Sequence, residues 1–153
     1  GDIMTPRTVV LALEQTETVG DVFTAHKNNI PFARIPVFSE NIDNIVGIVR
    51  RRELLSAMAS DEPNRKVKEF QQEPVFVPQV GTVAEALKTL QAKNQQLGVV
   101  VDEFGSTVGV VAMEDIFEHI LGQEIFEKDD PAEDMREFAR QKHDAKSNEE
   151  DMS

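Results

Sequence analysis

Residues 82–121, TVAEALKTLQAKNQQLGVVVDEFGSTVGVVAMEDIFEHIL, hold the pattern that decides the fold. Thr82 precedes apolar residues at Val83, Ala86, Leu87 and Leu90, the i, i+3, i+4 spacing of one helix face, and Glu85 stands three places after it. A threonine and a glutamate at that distance cap each other's backbone N–H groups, so a helix is predicted to start at Thr82. Two β-branched runs follow, Val99-Val100-Val101-Asp102 and Val108-Gly109-Val110-Val111, with turn chemistry at Asp102-Glu103-Phe104-Gly105-Ser106 between them. Glu114 to Leu121 reads as a second helix, and upstream Pro74-Val75-Phe76-Val77-Pro78 reads as a strand. The unit is therefore strand, helix, strand, strand, helix.

The same order occurs about 64 residues earlier. An extended apolar run, Thr8 to Leu13, leads to a helix signal at Thr18 with Val19, Val22, Phe23 and Ile30. Strands Ile35 to Phe38 and Ile45 to Val49 flank turn residues Asn41, Asp43 and Asn44, and Glu53 to Met58 closes the copy as a helix. A unit of roughly 50 residues cannot easily bury its sheet face alone, so the copies are expected to pack together about a pseudo-twofold axis. The predicted fold is α/β (α+β), two β-α-β-β-α repeats over residues 1–60 and 67–122 with a linker at 61–66. An acidic segment, 123–141, with a short helix around Ala132 to Arg140, and a disordered tail, 142–153, are expected to follow.

Composition narrows the function classes. The 153 residues include no cysteine, which removes disulfides, thiolate metal sites and a cysteine nucleophile, and fits a reducing compartment. The net charge is −12, and residues 123–153 carry 11 of the 28 acidic side chains against 5 of the 16 basic ones. An acidic chain whose only aromatic residue is phenylalanine offers neither the cationic footprint nor the stacking platforms of nucleic-acid binding. No apolar stretch approaches the roughly 20 residues needed to cross a bilayer. The chain opens on Gly1 and is read as part of a longer protein.

Catalytic machinery is not visible. His26, His119 and His143 are far apart, and HExxH, GxSxG, GxxxxGK[ST] and GxGxxG are all missing. Glu124, Glu127, Asp129, Asp130, Glu133 and Asp134 lack EF-hand spacing and read as a solvated acidic segment, so no metal site is expected. Two places look different. At Phe32-Ala33-Arg34-Ile35-Pro36-Val37 an arginine and a proline-fixed strand entry stand among apolar residues. This is either a strand entry with Arg34 running its stem along apolar surface, or a purine slot in which the guanidinium holds a phosphate. At Ala112-Met113-Glu114-Asp115 a strand meets a helix. That junction is either a plain helix start with acids in its first turn, or an anion-attracting N-terminus with a carboxylate for ribose hydroxyls.

Taken together, Asp2 to Arg7, Ala33 to Val37, Gly47-Ile48-Val49 with Glu53-Leu54-Leu55, Val100 to Gly105, and Glu114-Asp115-Ile116 with Ile120 to Ile125 resemble a family. They are similar, in order and spacing, to tandem CBS domains (a Bateman module) of CorC/HlyC hemolysin-like membrane proteins and their magnesium and cobalt efflux relatives. The resemblance implies a regulatory, non-enzymatic pair that binds an adenine nucleotide, ATP or AMP, with or without magnesium, between its repeats. It also implies a homodimer, a membrane domain in the parent protein, and a place on the cytoplasmic face of the inner or plasma membrane. Carried over position by position, the nucleotide-binding residues are Met4, Thr5 and Pro6, Phe32 with Ala33, Arg34, Ile35, Pro36 and Val37, and Ala112, Met113, Glu114 and Asp115. Ala33 and Ala112 stand where the family has serine and threonine, and the first repeat has Arg50-Arg51-Arg52-Glu53 at the matching junction. Two lost hydroxyl hydrogen bonds weaken binding by roughly ten- to a hundredfold. The rival to a nucleotide sensor is thus a dimerisation module that has lost its ligand.

Overall fold

The computed structural model describes residues 3–126. The chain divides into a unit up to Ile116 and a second unit beginning at Phe117, of which only the remaining turns of one helix, to Phe126, are described. The expected helix at 132–140 and tail at 142–153 lie outside the described residues.

In the first repeat, Thr18 is extended and its hydroxyl accepts the N–H of Asp21, which starts α1 (Val19–Ala25). Val19, Val22 and Phe23 form the buried face of α1. The helix ends earlier than the apolar spacing suggests, because Lys27 and Asn28 turn into the left-handed region (φ 53 and 60). Ile30 is nevertheless buried, reaching the core from beyond that turn. β3 (Arg34–Ser39) and β4 (Asn41–Arg50) form an antiparallel pair, and β2 (Leu13–Glu14) lies parallel to β3. The reversal falls at Glu40 (φ 71), and Asn41 to Asn44 belong to a bulged start of β4 rather than to the turn itself. α2 (Arg51–Ala59) follows directly, with the Arg51 N–H donating to the Ala33 carbonyl at 2.8 Å.

One expectation is corrected. The run Thr8 to Leu13 is not a strand: Arg7–Val9 forms a single 3₁₀ turn, and only Leu13 and Glu14 pair with β3. Among the described residues no strand pairs with Val9, Val10 or Leu11, and they line a cleft instead.

The second repeat repeats the plan. β5 (Val75–Pro78) is parallel to β6 (Leu97–Val101), which is antiparallel to β7 (Thr107–Ala112). α3 (Val83–Ala92) carries the predicted reciprocal cap, Glu85 N–H to the Thr82 hydroxyl and Thr82 N–H to the Glu85 carboxylate. Between β6 and β7 the Asp102 carboxylate accepts N–H bonds from Phe104 and Ser106 while Gly105 takes φ +82, the turn that those residue types favour. α4 (Met113–Phe126) begins at once after β7.

The repeats exchange their leading segments. β1 (Thr5–Pro6), at the start of the first repeat, pairs antiparallel with β7 of the second, Thr5 opposite Val110 and Pro6 opposite Gly109. Gln72, near the start of the second repeat, makes the matching antiparallel bridge to Ile48 in β4. A glycine stands beside each crossing: a Cβ at Gly109 would strike Met4 and Thr5, and one at Gly47 would strike Gln71. The two sheets thus read β2-β3-β4 and β1-β7-β6-β5. Leu13, Val22, Ile35, Val49 and Leu54 lead the first core, while Ile45 and Ile48 of β4 pack with Val99 of β6 across the repeats.

Candidate functional site

Alternation along β3 sorts the strand-entry residues, since successive side chains point to opposite faces. Ile35 and Val37 are fully buried in the core of the first repeat. Arg34 and Pro36, one place out of phase, face a cleft of ≈ 240 Å³. Its walls are apolar: Val9, Val10 and Leu11 from the segment after the 3₁₀ turn, Phe32 and Pro36 from the first repeat, and Leu97 and Val110 from the second. Polar groups enter at the rim, namely Thr5 of β1, Arg34, and Glu114 and Asp115 in the first turn of α4. Ala112 lines the cleft at the end of β7.

The junction that delivers the two carboxylates is built by the backbone. Leu97 lies opposite Ala112 in the β6–β7 register, and the Met113 N–H donates to the Gln96 carbonyl at 2.8 Å. This bond closes the end of the sheet, so the next residues start the helix and turn Glu114 and Asp115 toward the cleft. Among the described residues the ion pairs are Arg7 with Asp43 and Arg65 with Glu62 and Glu69, so Arg34, Glu114 and Asp115 keep their charges for a ligand or for water. An apolar slot with a guanidinium on one side and carboxylates at a helix N-terminus on the other suits a base, a phosphate and ribose hydroxyls.

Of the thirteen residues read from the sequence, seven come together here: Thr5, Phe32, Arg34, Pro36, Ala112, Glu114 and Asp115. Six fall elsewhere. Met4 packs against Gly109, Pro6 pairs with it along β1, and Ala33 lines a neighbouring cleft. Ile35 and Val37 are core, and Met113 makes the backbone bond that closes the junction. Sequence reasoning missed Val9, Val10, Leu11, Leu97 and Val110. No local signal marked them, since an apolar run reads the same in a strand and along a cleft; Val9 is 65% exposed and Phe32 51%, apolar surface that the slot leaves open.

Two β-α-β-β-α repeats that trade leading segments and share a cleft define a tandem-repeat pair, and the comparisons give the family. The sequence profile of the CBS domain matches residues 1–60 and again residues 67–122, and the chain belongs to the CBS-domain family. It is 34% identical to Hemolysin C of Brachyspira hyodysenteriae over 88% of this chain and 49% of that protein. It is 33% identical to the magnesium and cobalt efflux protein CorC of Escherichia coli K12 over 91% of this chain and 48% of that protein. The chain therefore spans about half the length of the curated relatives it matches. Among solved structures, the CBS domain of a bacterial CNNM/CorC family Mg²⁺ transporter in complex with ATP superposes with a TM-score of 0.71 at 36% identity, covering 78% of this chain and 84% of that one. Among the described residues, no helix is long and apolar enough to cross a membrane.

Proposed function

We propose that this chain is a non-catalytic, adenine-nucleotide-sensing CBS pair, the cytosolic part of a membrane protein that takes part in divalent-cation efflux. The observation that carries the reading is the cleft itself: Arg34 of the first repeat and Glu114 and Asp115 of the second face one apolar slot. The relatives named for magnesium and cobalt efflux and the ATP-bound CBS structure support it. In this reading the adenine lies between the apolar walls, Asp115 accepts hydrogen bonds from the ribose hydroxyls, and Arg34 meets the first phosphate. Magnesium, in this reading, enters on the phosphates of the nucleotide. The pair works as a homodimer on the cytoplasmic face of the membrane; Leu55 and Met58, exposed at i, i+3 spacing on α2, supply apolar surface for that contact.

The test is calorimetric titration with ATP and with AMP, with and without magnesium, on the chain and on an Asp115→Ala variant. Saturable binding abolished or cut at least tenfold in the variant supports the reading. The rival, a dimerisation module without a ligand, draws on Ala112, which brings no hydroxyl to the slot. A folded protein that gives no heat at millimolar nucleotide would establish the rival.

A further inference from the structure

Arg7 opens the 3₁₀ turn that follows β1. Its Nη1 donates to Asp43 Oδ1 at 2.6 Å and to the Thr107 carbonyl at 3.1 Å. The two acceptors lie in different repeats, Asp43 in β4 and Thr107 at the start of β7. One guanidinium thus ties the leading segment of the chain to both repeats at once.

The main chain holds this segment weakly. β1 pairs with β7 over two residues, and the second of them, Pro6, has no N–H to donate. Two places further along the same antiparallel register Thr8 would face Thr107, but the chain has by then left the strand for the 3₁₀ turn, and the Thr107 carbonyl takes the Arg7 side chain instead. Thr107 is 2% exposed, so this anchor is fixed in the second repeat. What the segment carries is a wall of the apolar slot: Thr5 just before Arg7, and Val9, Val10 and Leu11 just after it, all line the slot, whereas Arg7 does not. Val9 is mostly exposed, so packing alone does not pin that wall.

We propose that Arg7 is a positioning residue for the slot, a clasp whose bonds to Asp43 and Thr107 hold residues 5–11 in place as its wall. The side chains of the ion pair are 38% and 46% exposed, and exposed pairs shift an equilibrium by at most about fivefold. The clasp can therefore open without unfolding either repeat, and its state sets how well the slot is formed. That a ligand feels the clasp rests on the nucleotide reading above; the clasp itself rests on geometry alone.

Hydrogen exchange on the ligand-free chain reads the clasp, and calorimetric titration with AMP reads its consequence. Both are measured on the intact chain, Arg7→Gln, Asp43→Asn, the double variant and Arg7→Lys. In Arg7→Gln the β1–β7 amides lose protection by about threefold or more, while the amides of α1 and β3 stay within about twofold of the intact chain. Asp43→Asn does the same, the double variant is no worse than Arg7→Gln, Arg7→Lys keeps most of the protection, and AMP affinity falls in step with it. Unchanged β1–β7 protection in Arg7→Gln, a uniform loss across all these strands and helices, or additive effects in the double variant overturns the clasp. Loss of protection with AMP affinity unchanged overturns the positioning role and leaves the nucleotide site standing. The expected exchange pattern with no AMP binding by the intact chain sustains the clasp and removes the nucleotide reading.

Discussion

Replacing Gly109 by alanine puts a methyl group onto the backbone of the opposite strand. Its Cβ would overlap the Thr5 carbonyl oxygen and come within 2.8 and 2.9 Å of the Met4 side chain. Met4 can move aside, but the Thr5 carbonyl is fixed by the pairing of β1 with β7, so the strand must shift or detach. Overpacking of this kind costs about 1–3 kcal/mol. With a urea dependence of about 2 kcal/mol per molar for a domain of this size, the unfolding midpoint falls by about 0.5–1.5 M. Gly122→Ala on α4 is the control, because nothing lies within 4 Å of its added Cβ, and it leaves stability unchanged or raises it by up to about 1 kcal/mol through helix propensity. The assay is urea unfolding followed by circular dichroism, repeated with Met4→Ala in the Gly109→Ala background. An unchanged midpoint for Gly109→Ala, or full restoration by Met4→Ala, would refute the claim that a backbone collision at β1 sets the cost.

Two further outcomes follow from local hydrogen bonding. Thr82→Ala removes a hydroxyl that accepts the Glu85 N–H and donates to the Glu85 carboxylate, and should cost about 1 kcal/mol in the same unfolding assay, more than Thr18→Ala, where the hydroxyl accepts a single bond from Asp21. The Glu69 carboxyl is held below its ordinary value of 4.5, first by the Lys66 N–H and then by the Arg65 guanidinium. A carboxylate with a depressed folded-state pKa adds stability above its unfolded value, and that stability is lost as pH falls through the folded one. Glu69→Gln should therefore flatten the loss of stability below pH 4.5, and Glu14, lowered by the Thr16 hydroxyl, contributes in the same sense. An acid limb of unchanged steepness in Glu69→Gln would reject this assignment.

The helix starts were legible because capping is local: Thr18 and Thr82 declare themselves within three residues, and both are the N-caps found. The hairpin strands were legible because their β-branched alternation matches a half-buried sheet. The segment Thr8 to Leu13 was misread because its apolar content is the same whether it lies in a strand or along a cleft. What decides is the presence of a neighbouring strand, and that is a property of chain segments far away in sequence. The candidate site divides along the same line. Arg34, Glu114 and Asp115 were found from charge and position, whereas Val9, Val10, Leu11, Leu97 and Val110 became walls only through the packing of one repeat on the other.

The exchange of leading segments gives the cleft a mechanical setting. Thr5 sits in β1, and Val110 and Ala112 sit in β7, so the strand pair that joins the first repeat's leading segment to the second repeat's sheet is also a wall of the cleft. A ligand that touches Arg34 on one repeat and Asp115 on the other has full affinity only when both repeats stand at the right separation. Such a ligand favours one arrangement over any other in proportion to the contacts it would lose, which is the condition for a binding event to carry a signal. A ligand that touched one repeat alone would bind both arrangements equally. In the proposed reading Arg34 would tie the phosphate end of a nucleotide, on the first repeat, to the carboxylates at the start of α4. Loss of that guanidinium should cost the coupling between the repeats as well as affinity, and Arg34→Gln should lose any nucleotide-dependent protection of the β1–β7 amides in hydrogen exchange. Amide protection by ATP that persists in Arg34→Gln would show that the carboxylate side alone holds the repeats together.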